Sequence, residues 1–229
     1  INKHRSLHSS AYALAYSVIA PKDIDSRLID FVYNNGTFKG SIYFAYFILR
    51  GLFNSNAGDK AIRLLLNTDT TKNAKTFVAI LDNLDVTITP EAWSNSYKPN
   101  LTLSHPWGAT PGCMIVQGIF GIRPTSPGFD TFIIKLQPGN IKFASLITPS
   151  IKGPIHTDYK QTDNGEIILE VDIPMNTRAT VSVPIMNSSY SNNFLSVNGD
   201  IIKAVNEDKF LTIELSSGHY RLKHVKTGF

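Results

Sequence analysis

The hydrophobic pattern of this 229-residue chain changes its period once, at Arg123. Upstream, apolar residues recur at helical spacing; downstream, they alternate. No single regular element satisfies both periods, so the chain reads as two folding units: helices over 1–122, strands over 123–229. The junction, RPTSPGFD at 123–130, is rich in Pro and Gly and reads as a linker or crossing loop.

The first unit is predicted as a series of helices joined by short connections. Residues 9–19 (SSAYALAYSVI) are apolar nearly all round, which predicts a helix buried on most faces, capped by Ser9 or Ser10. In the next helix Ile24, Leu28, Ile29 and Val32 form a one-sided stripe that Asn35-Gly36 ends. Residues 42–53 are again apolar almost throughout, and 59–67 are amphipathic with Asp59 in the first turn. A short helix within 70–83 would bury Phe77, Ile80 and Leu81. A last one within 106–122 would bury Met114, Ile115, Ile119 and Phe120. Helices apolar all round alternate with one-sided helices, as in two concentric helical layers. That predicts part of a larger helical barrel, with an ordinary small bundle as the alternative.

The second unit offers eight candidate strands: 131–138, 143–150, 154–162, 165–174, 177–184, 194–203, 208–217 and 218–225. Asp163-Asn164-Gly165 and Asn198-Gly199-Asp200 read as hairpin turns. Short antiparallel strands with one buried face predict a β-sandwich. His156, His219 and His224 lack metal-ligand spacing, and no metal or cofactor is expected.

The bulk numbers narrow the function classes. With 42% hydrophobic and 17% charged residues the chain can bury a core. A net charge of +4, scattered along the sequence, gives no basic track for nucleic acid. Apolar runs are too short to span a bilayer. The single cysteine, Cys113, excludes an intrachain disulfide and reads as a small buried thiol. Asn-x-Ser/Thr triplets at Asn35, Asn100 and Asn187 carry no weight without a eukaryotic secretory context. The chain starts at Ile1 without a signal-peptide pattern, which reads as the downstream piece of something longer.

The candidate site is TITPEAWSNSYKPNLTLSHPWG, residues 87–108. Glu91 and Trp93 share a face if the chain is extended, and His105 and Trp107 repeat that spacing. Asn95, Ser96, Pro99 and Asn100 read as the turn between two arms, so Glu91 and His105 are expected to meet. A carboxylate and an imidazole flanked by indoles suit the holding and hydrolysis of a sugar. Plain aromatic packing is the alternative.

Four segments resemble the C-terminal half of bacterial α-L-rhamnosidases of glycoside hydrolase family 78. YALAYSVIAPKD with RLIDFVYNNG resembles a helix pair of the family's barrel, and AIRLLLNTD the helix end before its catalytic hairpin. TITPEAW and SHPWGATP resemble its carboxylate hairpin and the histidine turn that follows. IFGIRPTSPGFDTFIIKLQPGNIKFASLITPSIKGPI and IPMNTRATVSVP resemble its C-terminal sandwich, GIRP…PGF being the most specific motif.

The resemblance implies the C-terminal part of an (α/α) six-hairpin barrel catalytic domain over 1–122, then an antiparallel β-sandwich over 123–229. It implies removal of terminal α-L-rhamnose with inversion: Glu91 as general base, His105 contacting the sugar, and Trp93 and Trp107 lining the deoxy side of rhamnose. The family's general acid lies in an acidic loop upstream, which has no counterpart here; Asp23, Asp25 and Asp30 sit on a surface-type helix. Where many relatives have Trp before the base, this chain has Pro90. The expected partners are a rhamnose-containing glycoside, the upstream half of the same protein, and further copies meeting through exposed barrel helices; nucleic acid and membrane are not expected. The compartment stays open between periplasmic, secreted and cytoplasmic in a bacterium. A non-catalytic sugar-binding or structural fragment, and a helical-barrel glycosidase of other sugar specificity, are the alternatives.

Overall fold

The computed structural model describes residues 6–20, 23–186 and 193–225; Asn187 lies outside them. The chain divides into two compact units, Ile1–Gly118 and Ile119–Phe229.

The first unit is built on α3 (Ile42–Asn54), the longest of the described helices. Ser41 accepts the Phe44 amide and caps it, and Ile48, Leu49 and Leu52 are fully buried. Against it pack α1 (Leu7–Ala15), α2 (Ser26–Asn35), α4 (Gly58–Leu65) and α6 (Thr110–Met114). Gly51 lets α1 approach closely: a Cβ there would lie 3.0 Å from Leu14 Cβ and 3.1 Å from the Ala11 carbonyl. Asn54 donates to the Ala15 carbonyl and closes the end of α1. α5 (Phe77–Leu84) is capped by Thr76, whose hydroxyl accepts the Ala79 amide.

Several helix expectations need correction. α1 starts earlier and stops sooner than predicted, with Ser6 as its cap. It is buried on one side only: Leu7, Ala11, Leu14 and Ala15 are covered, whereas Tyr12, Tyr16 and Val18 are exposed. Its apolar composition includes tyrosines whose hydroxyl ends tolerate water. Leu81 is exposed rather than in the core of α5. The predicted last helix is broken into a 3₁₀ turn (Pro106–Ala109), α6, and a π turn (Ile115–Ile119), and this irregular winding leaves Ile115 exposed. Among the described residues no helix is long and apolar enough to cross a membrane.

Among the described residues the second unit is a nine-stranded sheet: β1 (Arg123–Pro124), β2 (Thr131–Lys135), β3 (Phe143–Thr148), β4 (Ile155–Gln161), β5 (Ile167–Pro184), β6 (Phe194–Val197), β7 (Asp200–Lys203), β8 (Val205–Glu207) and β9 (Phe210–His224). Two pairs of predicted strands are continuous, 165–174 with 177–184 in β5 and 208–217 with 218–225 in β9. Pro174 lies where the register shifts, between Ile173 and Arg178, and a bulge is where a strand tolerates proline. β5 and β9 pair on both sides of that bulge, so their ladder is continuous across it. The ladder is also not wholly antiparallel. After β2 the chain forms the β3–β4 hairpin, so the second half of β5 returns alongside β2 in the same direction. The Asn198-Gly199 turn joins β6 to β7, both residues at positive φ.

Ile167, Leu169, Val171 and Ile173 from the first half of β5 are buried, as are Ala179, Val181 and Val183 from the second. His224, also buried, accepts the Ile167 amide through Nδ1 at 3.4 Å. Burial pushes its pKa down to about 4, with the nearby Pro184 backbone opposing the shift. Asp172 sits between its cross-strand neighbours His156 and His219, 2.6 Å from His219 Nδ1 and 4.0 Å from His156 Nδ1. Among the described residues no group of three or more His, Cys, Asp or Glu is placed to hold a metal ion.

Candidate functional site

Residues 87–105 form no regular strand, yet the two arms do meet. The Glu91 amide donates to the Thr102 carbonyl (2.8 Å) and the His105 amide to the Thr89 carbonyl (2.7 Å). Thr89 Oγ1 adds a bond to the His105 carbonyl at 2.8 Å. Between the arms, the amides of Tyr97 and Lys98 both donate to the Ser94 carbonyl, winding residues 94–98 into a tight turn. That turn folds Lys98 back onto Glu91, seven residues earlier. Gly108 seats the end of the segment on its start: a Cβ there would meet the Pro90 carbonyl at 2.6 Å.

Glu91 is held from several directions. Lys98 Nζ lies 2.5 Å from Oε1, and the Thr102 amide donates to Oε2 at 3.1 Å. The Tyr43 hydroxyl, from α3, interacts more weakly with the same carboxylate. Led by the Lys98 hydrogen bond and then the Thr102 amide, these contacts pull the Glu91 pKa down to about 2. The carboxylate is therefore ionised across any ordinary pH. Burial, and then the negative charge on Glu91, push the Tyr43 phenol up, so it stays a donor.

Tyr43 is the hub of the site. Its ring stacks on His105 (5.1 Å between centroids, 30° between planes) and meets Trp107 edge-on (4.7 Å, 86°). His105 also caps the 3₁₀ turn, its Nδ1 accepting the Trp107 amide at 3.4 Å. In the neutral ring that acceptor role puts the proton on Nε2, leaving a donor for a ligand. Trp107 is 62% exposed. Beside it lies a cavity of about 340 Å³ walled by Tyr43, Tyr46, Phe47, Pro106, Trp107 and Cys113.

The predicted residues thus separate. Glu91, His105 and Trp107 converge on Tyr43. Trp93 does not join them: it is 2% exposed, packed with Ile42, Ala45 and Ile80, edge-on to Phe77, and its Nε1 donates to the Gly40 carbonyl at 3.0 Å. Buried there, its indole has no face for a sugar; it fastens the Glu91 arm to the start of α3. The reason is the missing strand geometry: on bent backbone, residues two apart need not share a face. Asp25 caps α2 and pairs with Arg27, and Asp30 pairs with Lys60 at 3.3 Å, as suits surface carboxylates. Sequence reading missed Tyr43 and Lys98. Tyr43 is 48 residues from Glu91 inside an apolar helix and gives no local signal; Lys98 sat in view within the turn.

Residues 121–195 match the family described as bacterial alpha-L-rhamnosidase C-terminal domain. The chain is similar in structure to an α-L-rhamnosidase from Dictyoglumus thermophilum (TM-score 0.76, 17% identity, 99% of this chain and 26% of that one). It is also similar to a Streptomyces avermitilis α-L-rhamnosidase complexed with L-rhamnose (TM-score 0.71, 21% identity, 95% and 21%). A third likeness is to an α-L-rhamnosidase from Aspergillus terreus (TM-score 0.69, 18% identity, 96% and 24%). The chain thus spans about a quarter of the length of these proteins. No match is found among curated proteins. The expected likeness to the C-terminal portion of α-L-rhamnosidases is met, and at these identities it establishes the fold.

Proposed function

We propose that this chain is the C-terminal portion of an inverting α-L-rhamnosidase, with residues 1–122 belonging to an (α/α) barrel catalytic domain and 123–229 to its β domain. The observation that carries the reading is the convergence of Glu91, His105 and Trp107 on Tyr43 beside an aromatic-walled cavity. Glu91 acts as general base. It takes a proton from water while the water oxygen bonds to the anomeric carbon and the glycosidic C–O bond breaks on the opposite face. A carboxylic acid protonates the departing oxygen; in inverting enzymes the two carboxyls stand roughly 6.5–9.5 Å apart. Glu91 is the only acid within residues 87–108, so the partner comes from outside that segment. His105 Nε2 donates to a sugar hydroxyl, and Trp107 with Tyr43 offers an apolar wall to the C5 methyl of rhamnose. Trp93 supports the arm instead of touching sugar.

The test is hydrolysis of an aryl α-L-rhamnoside by the longer protein that contains this chain, with the anomer of the product read by NMR. Glu91→Gln is expected to lower turnover by about 10²–10⁴-fold. Normal turnover in that variant, or retention of configuration, would overturn the assignment. One observation favours a second reading, a sugar-binding portion without chemistry: the Glu91 oxygens already receive Lys98 and Thr102. Calorimetry of this chain with L-rhamnose, run beside the assay, separates them, because binding without turnover in the longer protein supports the second.

Tyr12, Tyr16 and Trp107 are exposed on the helical unit. On the barrel reading, upstream helices cover such rings. Without them the 229-residue chain is expected to self-associate, giving a concentration-dependent mass above 25.3 kDa in light scattering. A monomer mass at every concentration would count against it.

A further inference from the structure

Lys98 holds the Glu91 carboxylate without having any sugar contact of its own in this reading. Lys98 reaches Oε1 from the turn, and Tyr43, on α3, adds a weaker interaction from a separate element. The Thr102 amide fixes the other oxygen. A carboxylate on a bent loop has rotamers to choose among; a donor on each oxygen, from two directions, narrows that choice. The Glu91 side chain is only 16% exposed, against 40% for Lys98. The ammonium thus stays within reach of solvent while the carboxylate it holds is largely covered.

We propose that Lys98 is a positioning residue for Glu91: it sets the direction and the charge state of the carboxylate, and it is the group that must loosen for Glu91 to accept a proton. The proposal deepens the reading of Glu91 as base and rests on it for its catalytic meaning, but its physical content is separate. Every group facing Glu91 enters: the Lys98 ammonium, the Tyr43 phenol and the Thr102 amide, with His105 one ring further away behind Tyr43. A base tied to an ammonium stays ionised in acid but is a weak proton acceptor. Freed of it, the carboxylate becomes a better acceptor and loses its fixed aim.

The experiment is a carbon-13 carboxyl titration of Glu91 in the 229-residue chain, with the Trp93 indole proton as a monitor of the intact fold. In the wild type Glu91 is expected to show no midpoint above about pH 3. In Lys98→Met the midpoint should rise to about 4, the ordinary carboxylate range, at least a tenfold change in proton affinity. Lys98→Arg should restore the low value, and Tyr43→Phe should move it part-way while leaving the ring stack. An ordinary wild-type midpoint that Lys98→Met leaves unmoved would overturn the proposal. Assayed in the longer protein, Lys98→Met should shift the acid limb of kcat/KM upward by the same factor. A titration that moves while that limb stays put would keep the tether and remove Glu91 from the base role, so the two failures are distinguishable.

Discussion

At the residue scale, Trp93 and His224 carry the sharpest consequences, because each is a buried polar ring. Trp93→Phe keeps most of the apolar volume but leaves the Gly40 carbonyl without its indole donor. The expected loss is about 1–3 kcal/mol, read as a lower urea midpoint at unchanged slope. Wild-type stability in that variant would show the bond to be dispensable. His224 sets a pH dependence. Its folded pKa of about 4 lies below the ordinary value of 6.5, so the unfolded chain takes up the proton first. Stability is thus fully present above pH 6.5 and falls as pH drops toward 4, by about 3 kcal/mol in total. Thermal melts between pH 7 and 4 check this; His224→Leu should flatten that part of the profile, and an equally steep one would refute the cause. Glu91, Trp93, His105 and Trp107 were all visible in the sequence as an aromatic-rich segment with one acid. Their division into a buried anchor and an exposed group was not, because it depends on backbone bends set by Gly108 and by the Ser94 turn.

At the element scale, most boundaries were legible where a cap and a period agreed. α2 ends at Gly36 and α3 begins after Ser41, where an N-cap hydroxyl or a terminal glycine marks the sequence. The misreadings fall where tertiary pairing overrides a local stop. Pro174 and Gly218 look like breaks, yet β5 and β9 run through them because each has the other as a partner on both sides of the bulge. Gly108 is the local feature on which the site's shape depends most. Gly108→Ala would drive a methyl to 2.6 Å from the Pro90 carbonyl, so the backbone must move, and Pro90 directly precedes Glu91. The expected result is a fall in rhamnose affinity of this chain larger than its loss of stability, measured by calorimetry and urea unfolding on one preparation. Equal affinity with normal stability would mean that the segment absorbs the methyl without moving Glu91.

At the scale of the whole chain, the change of period at Arg123 and the division between Gly118 and Ile119 place the boundary only a few residues apart. Residues 119–122 carry the difference: they continue the apolar run of the helices, but Ile119 already serves the second unit, its carbonyl accepting the Gln137 amide at 2.7 Å. The strand unit has a core of its own, with Phe132, Ile134, Leu169, Val181, Leu211 and Leu222 nearly inaccessible. β9 supplies the longest ladder to β5, from Ile168–Lys223 at one end to Pro184–Phe210 at the other. A fragment of residues 119–225 is therefore expected to fold alone, with a single cooperative unfolding transition that keeps the acid-side instability of His224. A fragment that stops at Leu195 retains β1 to β5 but loses β9, which exposes one whole edge of β5 and removes His224 from the Ile167 amide. It should lack a cooperative transition and aggregate. Circular dichroism and urea unfolding of the two fragments decide the matter: cooperative folding of the shorter one would show that the β2–β5 and β3–β4–β5 ladders suffice without β9.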